Sequence, residues 1–116
     1  MQLERVFAMS FATIYPLYVK KVESKGRTRA ELDDVLRWLT GYDAQQLAKQ
    51  IEREVDLRTF FKAAPRLHPK AKLITGTICG VKIEEIEDPL MKKIRWMDKL
   101  VDELAKGRPM AKVLRS

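Results

Sequence analysis

The sequence predicts an all-α fold: a single, mostly helical domain over residues 1–116, built from five or six short helices. Three observations carry the prediction. Asp88-Pro89 opens and Gly107 closes a long stretch in which Leu90, Ile94, Met97, Val101 and Leu104 recur at helical spacing. Thr28 and Glu31 stand three residues apart, ahead of Leu32, Val35, Leu36 and Leu39, which is the pattern of a capping box. Asp43 and Gln46 repeat that pattern ahead of Leu47, Ala48, Ile51 and Val55, all of which should face inward.

The elements follow in chain order. Residues 1–13 carry weak cues, although Val6, Phe7, Phe11 and Ile14 fit one helix face. The first helix is expected from about Thr13, with Pro16 in the tolerant first turn. Ile14, Leu17, Tyr18 and Val22 form its buried stripe and Gly26 its stop. The helix after Thr28 turns Asp33, Asp34 and Arg37 outward, stops at Gly41 and places Trp38 at the edge of the core. Asp56 caps a short helix carrying Leu57, Phe60, Phe61 and Ala64. Pro65 and Pro69 then bracket a loop that holds His68.

Residues 71–87 read in two ways. As a strand, Leu73, Thr75, Thr77, Cys79, Val81 and Ile83 alternate with their neighbours, and the threonines favour it. As a helix, Ile74, Ile78 and Val81 share a face, at a cost of about 1 kcal/mol for Gly76 relative to alanine. A short helix ending at Gly80 is the preferred reading. A small hairpin near residues 73–83 is the alternative, and would make the class α+β. In the long helix that follows, Asp88 is the N-cap and Pro89 takes the first position, where a missing N–H costs nothing. Leu100 and Trp96 widen its apolar face, while Arg95, Asp98, Lys99 and Asp102 form an exposed charged side. A short helix from Pro109 to Leu114 closes the chain.

Composition narrows the function classes. The chain is 46% hydrophobic and 34% charged, which suits a folded domain rather than a disordered one. One cysteine excludes an internal disulfide. The longest uncharged run, Val6 to Val19, is too short to span a bilayer. A cytoplasmic protein with no membrane association is expected. The net charge of +7 is unevenly spread. Leu57 to Lys82 holds six basic residues and no acid, and Ile83 to Asp88 holds four acids and no base.

Several groups of residues are candidates for function. Lys62, Arg66, Lys70 and Lys72 form a basic surface that could neutralise nucleic-acid phosphates with release of counterions. It lacks interleaved aromatics to stack bases, since Phe60 and Phe61 read as core. Trp38 and Trp96 flank apolar faces and are candidate partner-binding residues. Gly76 and Gly80 in Ile74–Ile86 are spaced as in a helix-turn-helix, but Glu84, Glu85, Glu87 and Asp88 would then face the phosphates. Cys79, read as a buried side chain in an apolar run, and His68 are the sole residues of their kinds. They would have to meet to form a nucleophile and its base. Asp98 and Asp102 share a helical face without further ligands, so no metal site is expected. No catalytic residue and no cofactor is assigned.

Taken together, YPLYV at Tyr15–Val19, RWLTGYD at Arg37–Asp43, the FF, AP and HP pairs between Phe60 and Pro69, and the run from Cys79 to Gly107 resemble a family of small uncharacterised bacterial proteins, domain of unknown function 2200. The resemblance implies a bacterial, intracellular, single-domain protein. It implies no activity, cofactor or site. The leading functional expectation is therefore a non-enzymatic interaction module, acting by self-association into a homo-oligomer or by binding a protein partner. Nucleic-acid binding through the basic surface is the alternative, and an enzyme using Cys79 or His68 is the second alternative.

Overall fold

The computed structural model describes residues 3–115. Helices run over Leu3–Phe7 (α1), Phe11–Glu23 (α2), Arg29–Thr40 (α3), Ala44–Glu52 (α4), Leu57–Lys62 (α5), Pro89–Ala105 (α6) and Met110–Val113 (α7). Two single turns of 3₁₀ helix occupy Pro69–Leu73 and Ile83–Glu85. Between them Thr77–Ile78 (β1) and Val81–Lys82 (β2) pair antiparallel, Thr77 opposite Lys82 and Ile78 opposite Val81. The fold is mostly α with one small hairpin. The helices number seven among the described residues, against five or six expected; they include the closing α7 that the sequence indicates and the short α1, which lies in a stretch of weak cues.

Helix α6 is the centre of the fold. The Asp88 carboxylate accepts the Met91 N–H at 2.9 Å, and Pro89 takes the first helical position, as the sequence indicates. Ile94, Met97, Leu100, Val101 and Leu104 are buried against α1, α2, α3, α5 and α7, so the wide apolar face serves several neighbours at once. Helix α3 brings Leu32, Val35, Leu36 and Leu39, each fully buried, from beneath a complete Thr28–Glu31 capping box. Phe11 of α2 stacks on Phe60 of α5 at 4.0 Å between centroids, Phe61 meets Phe60 edge-on, and the Tyr42 hydroxyl donates to the Phe60 carbonyl. Phe60 and Phe61 are core, as expected.

Six local expectations are corrected. The segment expected to be a helix ending at Gly80 is helical only to Leu73 and then forms the hairpin. Its turn is Cys79-Gly80, with φ of 54° and 76°, the paired positive values of a two-residue turn whose twist suits the strands. The helix-turn-helix reading falls with it. Cys79, expected to be buried, is exposed on that turn.

Helix α2 starts earlier than Thr13 and is rotated from the expected register. Ser10 is its cap, accepting the Ala12 N–H, so Pro16 is the sixth residue rather than a first-turn one. Phe11, Tyr15 and Val22 are buried, while Leu17 is 61% exposed. The cause is a backbone tie between two helix starts. Phe11 donates to the Val55 carbonyl at 2.8 Å and Leu57 to the Met9 carbonyl at 2.9 Å, which sets the N-caps Ser10 and Asp56 opposite one another.

On α4, Leu47 is buried and Ile51 and Val55 are half-buried, but Ala48 faces solvent. On α6 the charged side is covered rather than exposed. Asp98 accepts from the Tyr18 hydroxyl and from Arg95, and Asp102 pairs with Lys21 of α2 at 3.2 Å and with Lys106 at 3.0 Å. The side chains of Arg95, Asp98 and Asp102 are 15%, 19% and 14% exposed.

Candidate functional site

The four basic candidates lie on one continuous length of chain. Lys62 ends α5, Arg66 lies in the following loop, and Lys70 and Lys72 lie on the 3₁₀ turn. All four are exposed, and none forms an ion pair among the described residues. The local sequence supplies no carboxylate, since residues 57–82 contain none.

The loop that carries Arg66 is tied to the end of α3. The Arg66 N–H donates to the Thr40 carbonyl and the His68 N–H to the Leu39 carbonyl, both at 3.1 Å. These bonds use carbonyls that the helix end leaves unpaired. The close approach depends on Gly41. A Cβ there would lie 2.8 Å from the Arg66 backbone, and its φ of 80° is one that glycine adopts without penalty.

The same tie brings His68 onto Trp38. The two rings stack with centroids 4.2 Å apart and planes 18° from parallel. His68 also caps the 3₁₀ turn, its Nδ1 accepting the Lys70 N–H at 3.0 Å, so the ring hydrogen sits on Nε2. Trp38, Gly41, Arg66, His68 and Pro69 line an open cavity of about 350 Å³. Two candidates that the sequence separates, Trp38 and Arg66, therefore share one cavity. Leu73, at the end of the 3₁₀ turn, is 52% exposed.

Other candidates are not brought together. Trp96 is half-buried on α6 and does not line the Trp38 cavity. His68 is engaged with Trp38 and Lys70. Cys79 instead lines a separate, mainly apolar groove with Met9, Leu17, Tyr18, Arg95 and Asp98. Asp98 and Asp102 are occupied by their α2 and α6 partners, and no group of three or more metal-ligating side chains occurs among the described residues.

Two arrangements escape the sequence reading. The first is Glu103, which is 6% exposed. It accepts both terminal nitrogens of Arg115 at 2.6 and 2.8 Å and pairs with Arg108 at 3.0 Å, clamping the C-terminal segment to α6. The second is a hydrogen-bonded chain through the buried Tyr15. Its hydroxyl donates to Asp33 Oδ1 at 2.5 Å and accepts from Arg29 Nε at 2.9 Å. Burial, with the Asp33 carboxylate next in importance, pushes the Tyr15 hydroxyl up to about 12. A signal for this chain did exist: Arg29, Asp33 and Arg37 lie at successive fourth positions of α3, on one face.

The chain matches, over residues 5–115, the family described as uncharacterized protein conserved in bacteria, domain of unknown function 2200. A solved structure described as that of uncharacterized protein SP1917 is 45% identical and superposes with a TM-score of 0.90, covering 97% of this chain and 92% of its own. No curated protein matches the chain. No helix among the described residues is long and apolar enough to cross a membrane.

Proposed function

We propose that this chain, which belongs to the family of uncharacterized proteins conserved in bacteria known as domain of unknown function 2200, is a non-enzymatic interaction module whose docking face is the surface around Trp38. The occupant is an acidic segment of a protein partner. The observation that carries this reading is Arg66, exposed and without an ion-pair partner among the described residues, in the wall of a cavity that also holds the stacked Trp38–His68 pair, on a segment that carries three further exposed cations. An aromatic anchor with an arginine beside it suits a partner that presents a carboxylate next to an apolar residue. Arg66 can take a carboxylate with two parallel bonds, and the lysines add charge that speeds encounter.

Self-association is one form of the same reading, because the turn at Glu85 and Glu87 is exposed and acidic and a second copy could supply it. Nucleic-acid binding is the second reading, favoured by the spacing of the cations along a single segment. Base stacking has less support, because Trp38 and His68 spend one face of each ring on one another. We place the module in the cytoplasm, a reading supported by Cys79, a lone thiol left exposed on the hairpin turn.

The test is a titration with a short Asp- and Glu-rich peptide carrying one central aromatic residue, followed by tryptophan fluorescence at low and moderate salt. Saturable binding that weakens with salt, and that Arg66→Glu with Lys70→Glu abolishes, supports the module. Light scattering of the protein alone reads the self-association form. A duplex that binds where the peptide does not replaces this reading with the nucleic-acid one.

A further inference from the structure

Helices α2, α3 and α4 enclose two adjoining cavities, of about 250 and 400 Å³, which share Tyr15, Arg29 and Ile51 as a common wall. They form one trough on a different surface from the Trp38 cavity. Its apolar lining comes from Pro16, Val19, Leu47, Ile51 and the small residues Ala44 and Ala48.

The polar groups of the trough are fixed in an unusual state. Arg29 lies over the Tyr15 ring, 5.4 Å from its centroid, and its Nε is held by the Tyr15 hydroxyl. Both terminal nitrogens of Arg29 remain without a hydrogen bond among the described residues. The guanidinium is thus oriented before any ligand arrives, with two donors left over, which is the arrangement that takes a carboxylate. On the other side of the same hydroxyl, Asp33 uses Oδ1 for Tyr15, and Oδ2 accepts nothing among the described residues. One buried hydroxyl therefore holds a free cationic edge and a free anionic edge, each a single hydrogen bond away.

The net charge of the lining matters as much as the two edges. Lys20, Arg29 and Arg37 are balanced by Glu23, Asp33 and Asp34. A simple anion or cation would meet as much repulsion as attraction, whereas a molecule carrying both charges on groups attached to one carbon meets complementary partners for each. From this geometry we infer that the trough binds a free α-amino acid with an apolar side chain. The carboxylate sits on Arg29, the ammonium on Asp33, and the side chain lies against Val19, Leu47 and Ile51.

Isothermal titration calorimetry tests the assignment, using L-leucine, L-phenylalanine, leucinamide and 4-methylpentanoate on the intact chain. Leucine or phenylalanine should bind saturably. Leucinamide, which lacks the carboxylate, and 4-methylpentanoate, which lacks the ammonium, should each bind roughly tenfold or more weakly, the loss of one charge-assisted pair. Arg29→Gln should weaken amino-acid binding by a similar factor while the chain stays folded, checked by an unchanged circular dichroism spectrum, because Arg29 is exposed and gives up a single hydrogen bond to Tyr15. Arg66→Glu with Lys70→Glu should leave it unchanged, so this site and the Trp38 surface stand or fall separately. No saturable heat from either amino acid at millimolar concentration overturns the inference. So does 4-methylpentanoate binding as tightly as leucine, or Arg29→Gln binding like the unmodified protein.

Discussion

The C-terminal clamp and the basic segment treat cations in opposite ways. At the clamp, Arg108 and Arg115 converge on Glu103, a carboxylate that is 7% exposed, and the pairing fixes the last residues of the chain to α6. Along residues 62–72, cations of the same kinds are exposed and pair with no carboxylate among the described residues. A buried charge must be paired, because removing it from water costs several kcal/mol unless a partner compensates. An exposed cation is already solvated and needs no partner. The contrast teaches that the clamp's cations serve folding, whereas those of the basic segment are free for something else at little cost to stability.

Substitutions at the two places should therefore behave differently, and the largest effect should come from the clamp. Glu103→Ala leaves Arg115, whose side chain is 15% exposed, without its carboxylate, while Arg108 at 47% exposed turns to water, and should cost roughly 2–3 kcal/mol, read by urea unfolding. A loss below about 1 kcal/mol would remove the clamp from the account. Gly41→Ala should follow, at about 2 kcal/mol, because the left-handed backbone there penalises a Cβ and the new atom meets the Arg66 backbone. It should also release the Trp38–His68 stack, visible as a change in tryptophan fluorescence that Arg66→Ala does not produce. The cations themselves come next. Lys62→Ala, Lys70→Ala and Lys72→Ala should each stay within about 0.5 kcal/mol of the unmodified protein.

The response to pH sharpens the same distinction. Burial pushes the Tyr15 and Tyr42 hydroxyls up to about 12 and that of Tyr18 well above 10, helped at Tyr15 by Asp33 and at Tyr18 by Asp98. A group whose folded value is raised contributes stability that is complete below its unfolded value and lost as the pH climbs through the folded one. Stability should therefore hold up to about pH 10 and fall between there and about 12. Ultraviolet titration of tyrosinate should show ionisation in step with unfolding. At Asp102 burial works to raise the carboxyl, but Lys106 and Lys21 outweigh it and hold the group below the ordinary value near 3.8. Its contribution is present above that value and lost as the pH falls further. The smallest effect should be at the hairpin turn. Cys79→Asn places a residue that tolerates positive φ at 54° and should stabilise by about a few tenths of a kcal/mol.

What the sequence made legible was local. Thr28 with Glu31, Asp43 with Gln46, and Asp88 with Pro89 each satisfy helix-end groups from within four residues, so their geometry is written in the spacing. The hairpin was only half legible. Two-residue strands give too little alternation to outweigh a helical reading, and Cys79-Gly80 lacks the asparagine or aspartate that usually marks such a turn. The register of α2 was hidden because Leu17 and Phe11 are both apolar, and the choice between them is made by a tie to Val55 and Leu57 across the fold. The clamp was illegible because Arg108 and Arg115 lie five and twelve residues beyond Glu103, outside helical neighbour spacing. The basic residues of the candidate surface could be read directly, but its aromatic wall could not, since Trp38 and His68 are thirty residues apart and meet only through the loop tie at Gly41.

The most direct test of the central claim measures stability and peptide affinity on the same two variants, Glu103→Ala and the pair Arg66→Glu with Lys70→Glu. The account predicts that the first loses about 2–3 kcal/mol of stability and, while folded, still binds the acidic peptide. It predicts that the second keeps its stability and loses binding. A charge-reversed segment that unfolds as readily as the clamp variant, or that binds the acidic peptide as well as the unmodified protein, would contradict it.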